Sequence, residues 1–290
     1  MKTIATVTLA FVTAILADAQ EQKWVAPRTS DDHPDMQGAW ARRGTRIQEA
    51  NGPVSPLGEF SSTGQPYPTI FNTGVATALD RATLAVQKTG VVDPADRVLP
   101  WRPEADAARR EFIRHMIPPA SLQYVEPTAR CVLPGPVDGD DRSPFFIVQH
   151  PGSFVLAYEY NHVTRVIYTD GRPHVGKKLR FFMGDSIGRW EGDTLVVDTT
   201  NFTDKTRFRG STQDLHIVER FTRVDAKTLL YRFTVEDPNT WEKPWTGEYT
   251  WPATDELMYE YACQEGNYAL GNILRGARLK EADEAKKTKQ

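Results

Sequence analysis

From Pro144 onward, apolar and polar side chains alternate in short runs, at 145–150, 153–160, 163–169, 179–183, 194–202, 214–224, 228–236, 245–251 and 257–263. A period of two marks half-buried strands, because successive side chains point to opposite faces. Pro151-Gly152, Asp170-Gly171, Gly192-Asp193 and Asp225-Ala226-Lys227 fall between runs, where the chain must reverse. Evenly spaced strands without intervening helical periodicity predict a mainly β protein: an antiparallel meander folded as a lipocalin-like barrel or a sandwich.

The first half reads differently. Residues 20–99 are rich in Pro, Gly, Ser and Asn and show little alternation, so this stretch is expected to wrap a later core. Two helices are predicted, at Asn72–Lys88 and Pro103–Ile117. The second opens on Pro103, carries Glu104 and Asp106 in its first turn and stops at Pro118-Pro119. The resulting organisation is an N-terminal wrapping region at 20–135 and a β core at 136–278, packed together as one domain. Residues 279–290, with mixed charges and no apolar period, are expected to fray.

Charge removes some partners from consideration. A formal net charge of −3, evenly spread, gives no basic face for nucleic acid and no polybasic cluster beside a membrane. The start of the chain adds a compartment: Lys2, an uncharged run from Thr3 to Leu16, then Ala17-Asp18-Ala19 have the order of a secretory signal peptide at 1–19. That apolar run is shorter than the roughly 20 residues needed to cross a bilayer, so cleavage after Ala19, a secreted or periplasmic location and no stable membrane insertion are expected. Two cysteines, Cys131 and Cys263, would pair in an oxidising compartment; the competing reading is two free thiols, one a nucleophile. Asn201-Phe202-Thr203 is a glycosylation sequon, relevant in a eukaryotic host.

The segment GDSIGRWEGDTLVVDTTNFTD, Gly184 to Asp204, is the most patterned in the chain. It reads either as an acidic catalytic or metal site or as a hairpin with charged turn residues. The hairpin needs less: Gly192 supplies a positive φ, Asp193 bonds its own backbone, and Trp190 covers an end of the core.

Acid/base candidates are ionisable residues in the apolar phase of a strand, since buried charge requires a partner or a purpose. Glu219 shares a face with Leu215, Ile217 and Phe221, and either pairs with Arg165 or Arg232 or faces a cavity. Glu159 alternates with Val155 and Ala157. If Asn161-His162 is not a turn, Val163, Arg165 and Ile167 continue that face, and His162 joins Tyr158, Tyr160 and Tyr168 on the other. Asp198 lies with Thr194, Val196 and Thr200, whereas His174 sits in a turn near Asp170 and Arg172. Glu219, Glu159, Asp198, His162 and His174 are therefore the catalytic candidates; Tyr158, Tyr160, Arg165, Trp190 and Tyr231 are the substrate-binding candidates. His216 falls on the face opposite Glu219. No HExxH, Gly-x-Ser-x-Gly, phosphate loop or dinucleotide fingerprint occurs, and no His pair stands at i, i+2 or i, i+4, so neither metal nor organic cofactor is expected.

GRWEGDTLVVDTTNF, with YEYNHVTRVIYTDGRPH, VERFTRVDAKTLLYRFTVEDP and YACQEGNYALGNIL, resembles a large family of exported, mostly uncharacterised bacterial proteins. The likeness covers Pro134 to Arg278 and implies export and β architecture, with no reaction to carry over. The family's last motif more often reads Cys-His-Glu-Gly-Asn, and Gln264 stands here at the His position. Gly38-x-Trp40 resembles the opening of lipocalin-like barrels, in which Trp closes the base beneath an Arg.

These readings predict an exported barrel acting on a small, partly apolar molecule by acid/base chemistry of the hydrolase, lyase or isomerase type. The alternative is a non-catalytic binding or carrier protein in which the same groups orient a ligand. A third reading is a cell-envelope interaction module.

Overall fold

The computed structural model describes residues 24–42, 90–116, 118–125, 127–133, 135–137, 143–206 and 208–288. The predicted leader at 1–19 and the predicted helix at Asn72–Lys88 lie outside these residues. Among the described residues there are ten strands: β1 (Gly38–Trp40), β2 (Val91–Asp93), β3 (Phe145–His150), β4 (Ser153–Tyr158), β5 (Thr164–Tyr168), β6 (Asp185–Glu191), β7 (Thr194–Thr200), β8 (His216–Asp225), β9 (Thr228–Glu236) and β10 (Trp245–Pro252). Two α-helices join them, α1 (Pro103–Arg114) and α2 (Tyr268–Lys287).

The strands form one curled sheet in the order β1-β3-β4-β5-β6-β7-β8-β9-β10-β2. The curl also brings the β1 edge round to the end of β10: the Ala41 N–H donates to the Pro252 carbonyl at 3.1 Å and the Thr254 N–H to that of Ala39 at 3.1 Å. The predicted barrel-type β fold is thus what the chain adopts. Trp40 lies buried at the β1 end, its indole donating to the Met36 carbonyl at 2.9 Å, with the Arg223 guanidinium 5.6 Å from its ring.

The interior is filled by rings. Tyr231 stacks on Trp251 at 4.3 Å, and Phe145 and Phe221 meet the same indole at 4.7 and 5.8 Å. Such pairs add roughly 0.5–1.5 kcal/mol each beyond the apolar area they bury. Gly247 on β10 is required by this packing, since a Cβ there would stand 2.1 Å from the Phe233 ring.

Several expectations need correction. The meander breaks between β5 and β6, which run parallel and pair only at Tyr168 and Ile187. The intervening crossover, 169–184, contains the predicted run 179–183, which makes a single bridge from Phe181 to Phe202. Residues 257–263 form no strand: the Tyr259 and Tyr261 N–H groups donate to the side chains of Glu159, at 2.8 Å, and His162, at 3.1 Å, instead of to a neighbouring backbone. The continuous phase through 153–168 required that Asn161-His162 not be a turn, and they do form one, with φ of 55° and 51°. Tyr158 and Tyr160 face the core, while Tyr168 is partly exposed on the outside. Likewise Arg165 and Ile167 point inward, on the face opposite Val155 and Ala157. Helix α1 begins at Pro103 as predicted and ends at Arg114. The C-terminal residues expected to fray instead extend α2 to Lys287; the Asn267 side chain caps its first turn by accepting from the Leu270 N–H.

Cys131 and Cys263 are joined, with Cα atoms 5.8 Å apart. This ties the coil after β10 to the turn before β3. Asn267 reinforces the junction by donating to the Ala129 carbonyl at 3.1 Å.

Candidate functional site

Two polar clusters emerge from the sheet, one inside and one outside. Inside, Glu219 on β8 is 0% exposed and takes a two-point contact from Arg165 on β5, with Nη1 2.8 Å from Oε1 and Nη2 against Oε2. Tyr231 donates to Oε1 at 2.9 Å and Thr199 to Oε2 at 3.1 Å, while Arg165 also donates to Ser186 and Thr199. The ion pair with Arg165 is therefore the alternative the fold adopts, and Arg232 pairs elsewhere, with Glu248. Burial works against the Arg165 charge, yet the adjoining carboxylate more than offsets it and raises the guanidinium pKa further. Burial, aided by the Glu219 charge, pushes the Tyr231 phenol well above its ordinary value, so it stays a neutral donor.

Outside, alternation places Asp185, Asp198, His216 and Glu236 on the solvent face of β6, β7, β8 and β9. Register sets them in a diagonal row: Ile187 pairs with Asp198, Asp198 with Val218, and His216 with Glu236. His174, from the crossover, completes the chain. Its Nδ1 lies 2.8 Å from Asp185 Oδ2 and its Nε2 lies 3.0 Å from Asp198 Oδ1. The other Asp198 oxygen meets His216 Nε2 at 3.1 Å, and His216 Nδ1 meets Glu236 at 2.5 Å. The result is an unbroken sequence of carboxylate and imidazole, Asp185–His174–Asp198–His216–Glu236, partly open to solvent.

Its electrostatics follow from the contacts. Hydrogen bonding to Asp198, against some desolvation, raises His216 from 6.5 to about 9, so this imidazole is charged at neutral pH. The same bond from His216 lowers the Asp198 pKa. A proton held more tightly in the folded state stabilises the fold fully below about pH 6.5, and that contribution disappears as the pH rises through about 9. The Asp198 contribution has the opposite sense and is lost under acid conditions, as pH falls below its ordinary 3.8. Urea unfolding at pH 6 and pH 9.5 is expected to differ by about 1–2 kcal/mol on this account, allowing for solvent screening of a partly exposed ring. His216→Asn should remove that difference; an unchanged pH dependence would show that the row does not hold its proton.

The sequence candidates divide accordingly. Asp198 and His174 come together; Glu219, Arg165 and Tyr231 share the interior network. Tyr158 packs on Phe145 at 5.6 Å, and Tyr160 packs edge-on against Tyr261 at 5.0 Å. Glu159 and His162 hold the segment after β10, distant in role from both clusters. Trp190 stacks on His33 at 4.5 Å and packs, partly buried, against the core. Its hairpin forms as expected, with Gly192 at φ of 59°, but Asp193, expected to bond its own backbone, accepts instead from Arg28 at 2.8 Å. The sequon asparagine, Asn201, is buried and donates to the Val175 carbonyl at 3.0 Å, which leaves its amide inaccessible to a sugar transferase in the folded protein.

Two members of the outer row, Asp185 and Glu236, escaped the sequence reading, which placed His216 on the face opposite Glu219 without making it a candidate. His216 and Asp198 were each placed on a face of their own strand, but their meeting depends on a strand register that alternation cannot supply. Among the described residues, no group of three or more His, Cys, Asp or Glu is arranged to hold a metal ion, and no helix is long and apolar enough to cross a membrane.

No protein-family model matches this chain, and neither does any curated protein. Among solved structures, a "secretary abundant heat soluble (SAHS) protein" from Ramazzottius varieornatus overlaps 41% of this chain and 78% of its own, with 8% identity and a TM-score of 0.27. So slight an overlap bears on neither fold nor function, and the barrel description rests on the strand pairings.

Proposed function

We propose that this is an exported protein that performs acid/base chemistry of the hydrolase, lyase or isomerase type on a small, partly apolar molecule, at the outer His174–Asp198 row. The observation that carries the reading is Asp198 bridging two imidazoles, each backed by a second carboxylate. In this arrangement carboxylates hold both His174 nitrogens, Asp185 at Nδ1 and Asp198 at Nε2, which fixes the ring orientation; a bound molecule would exchange a proton at Nε2 by taking the place of the Asp198 contact. Asp185 also accepts the Val175 N–H at 2.9 Å, which holds it in place for that task. His216, charged and flanked by Asp198 and Glu236, balances the local negative charge. Glu219 is less suited, because its oxygens already accept from Arg165, Tyr231 and Thr199. Export is supported by the leader-like first residues and by the joining of the chain's two cysteines.

The test is depletion of small molecules from a cell extract by the purified protein, followed by mass spectrometry. His174→Gln is expected to slow consumption of the affected compound by at least ~100-fold without lowering the melting temperature. Equal consumption by parent and variant would remove the row from catalysis.

A carrier is the second reading, favoured by the buried indole N–H groups of Trp241, Trp245 and Trp251, which have no acceptor among the described residues. A molecule with a carbonyl or carboxylate could use such donors. A compound retained unchanged by both parent and His174→Gln, with quenched tryptophan fluorescence, would favour this alternative.

A further inference from the structure

The crossover between β5 and β6 carries more than His174. From Gly171 to Met183 it reads GRPHVGKKLRFFM, with Arg172, Lys177, Lys178 and Arg180 but no carboxylate, in a chain whose net charge is −3. Arg172 is paired with Asp170. Arg180 donates to the carbonyls of Phe202 and Gln213 and so fastens the loop to the turn after β7. Lys177 and Lys178 are exposed and have no carboxylate partner among the described residues. Beside them, Leu179, Phe181 and Phe182 are 55%, 43% and 44% exposed.

The backbone beneath these side chains is held. The Phe181 N–H donates to the Asn201 carbonyl at 2.9 Å, the Thr203 N–H to that of Phe181 at 3.1 Å, and the Thr206 hydroxyl to that of Phe182 at 2.8 Å. The same turn presents exposed Lys205, whose charge is offset in part by its neighbour Asp204. Large apolar side chains held in water, ringed by unpaired ammonium groups, are matched by one kind of surface: apolar at depth and anionic at its boundary.

We propose that this loop docks the protein peripherally on an anionic lipid bilayer. Leu179, Phe181 and Phe182 enter the headgroup boundary, where aromatic rings are favoured, and Lys177, Lys178 and Lys205 meet the acidic lipid groups. Each such ammonium strengthens binding about fivefold near an anionic leaflet, and salt weakens the effect. Docking here is independent of any chemistry at His174.

Co-sedimentation with phosphatidylcholine vesicles, with and without phosphatidylglycerol, tests this at low and high salt. Binding is expected only with the anionic lipid, weaker at high salt. Lys177→Gln/Lys178→Gln should weaken it about 25-fold, and Phe181→Ser/Phe182→Ser should abolish it, both with unaltered melting temperature. Equal binding to both vesicle types, binding to neither, or a lysine variant that binds like the parent would overturn the proposal. So would a dimer seen by ultracentrifugation that disappears in the phenylalanine variant, since the patch would then belong to a second copy of the chain.

Discussion

Replacing Glu219 by Leu is expected to cost about 3–5 kcal/mol, because it strands the Arg165 guanidinium in a ring-filled interior without its counter-charge. The melting temperature should fall by roughly 10 °C, given about 2–4 °C per kcal/mol for a domain of this size. Arg165→Met should cost a similar amount by leaving the carboxylate alone. Combining Arg165→Met with Glu219→Leu removes both charges and should recover most of the loss, since an apolar pair can replace a buried ion pair at little cost. Urea unfolding of the four proteins measures the coupling directly. If either single variant remained within about 1 kcal/mol of the parent, the network would not be the fully buried one seen here. The nearly isosteric Glu219→Gln extends the test to chemistry: loss of turnover that follows only the loss of folded protein assigns Glu219 to structure.

Breaking the Cys131–Cys263 link should have a comparable effect. The bond closes a loop across a sequence separation of 132. Chain-entropy estimates put such a closure near 4–5 kcal/mol. Cys131→Ala/Cys263→Ala is therefore expected to lower the melting temperature by more than about 10 °C, and dithiothreitol should do the same to the parent. The loss should fall first on the segment from Thr254 into α2, measured as faster amide exchange there than in β7–β9. A melting temperature indifferent to reductant would contradict both the linkage and its importance.

The two clusters differ in how far the sequence revealed them. Glu219 was legible because one carboxylate interrupts an apolar phase, and physics requires such a group to be paired. Its partner was narrowed to Arg165 or Arg232 but not chosen, since each lies on a different strand. The outer row was less legible. Asp198 and His174 attracted attention individually, whereas His216, Asp185 and Glu236 looked like ordinary solvent-facing residues. Nothing local distinguishes an exposed His beside a cross-strand Glu from one that also touches Asp198. Tyr158 and Tyr160 part from Tyr168 for a single reason: a turn at Asn161-His162 changes the phase, and both residues adopt positive φ without being glycine. The coil at 257–263 alternated convincingly, yet Glu159 and His162 satisfy backbone donors that a strand neighbour would otherwise have taken.

The sequence by itself determined that the second half of this protein would be short strands about a greasy interior, because alternation and turn chemistry act over a few neighbouring residues. It also determined the helix start at Pro103 and left its two cysteines free to meet. Long-range contacts alone select which strands are neighbours, make β5 and β6 run parallel, and bring five ionisable groups on different segments into one continuous row. Those outcomes depend on register and chain crossing, which are settled by contacts between residues far apart in sequence, where local pattern carries no information.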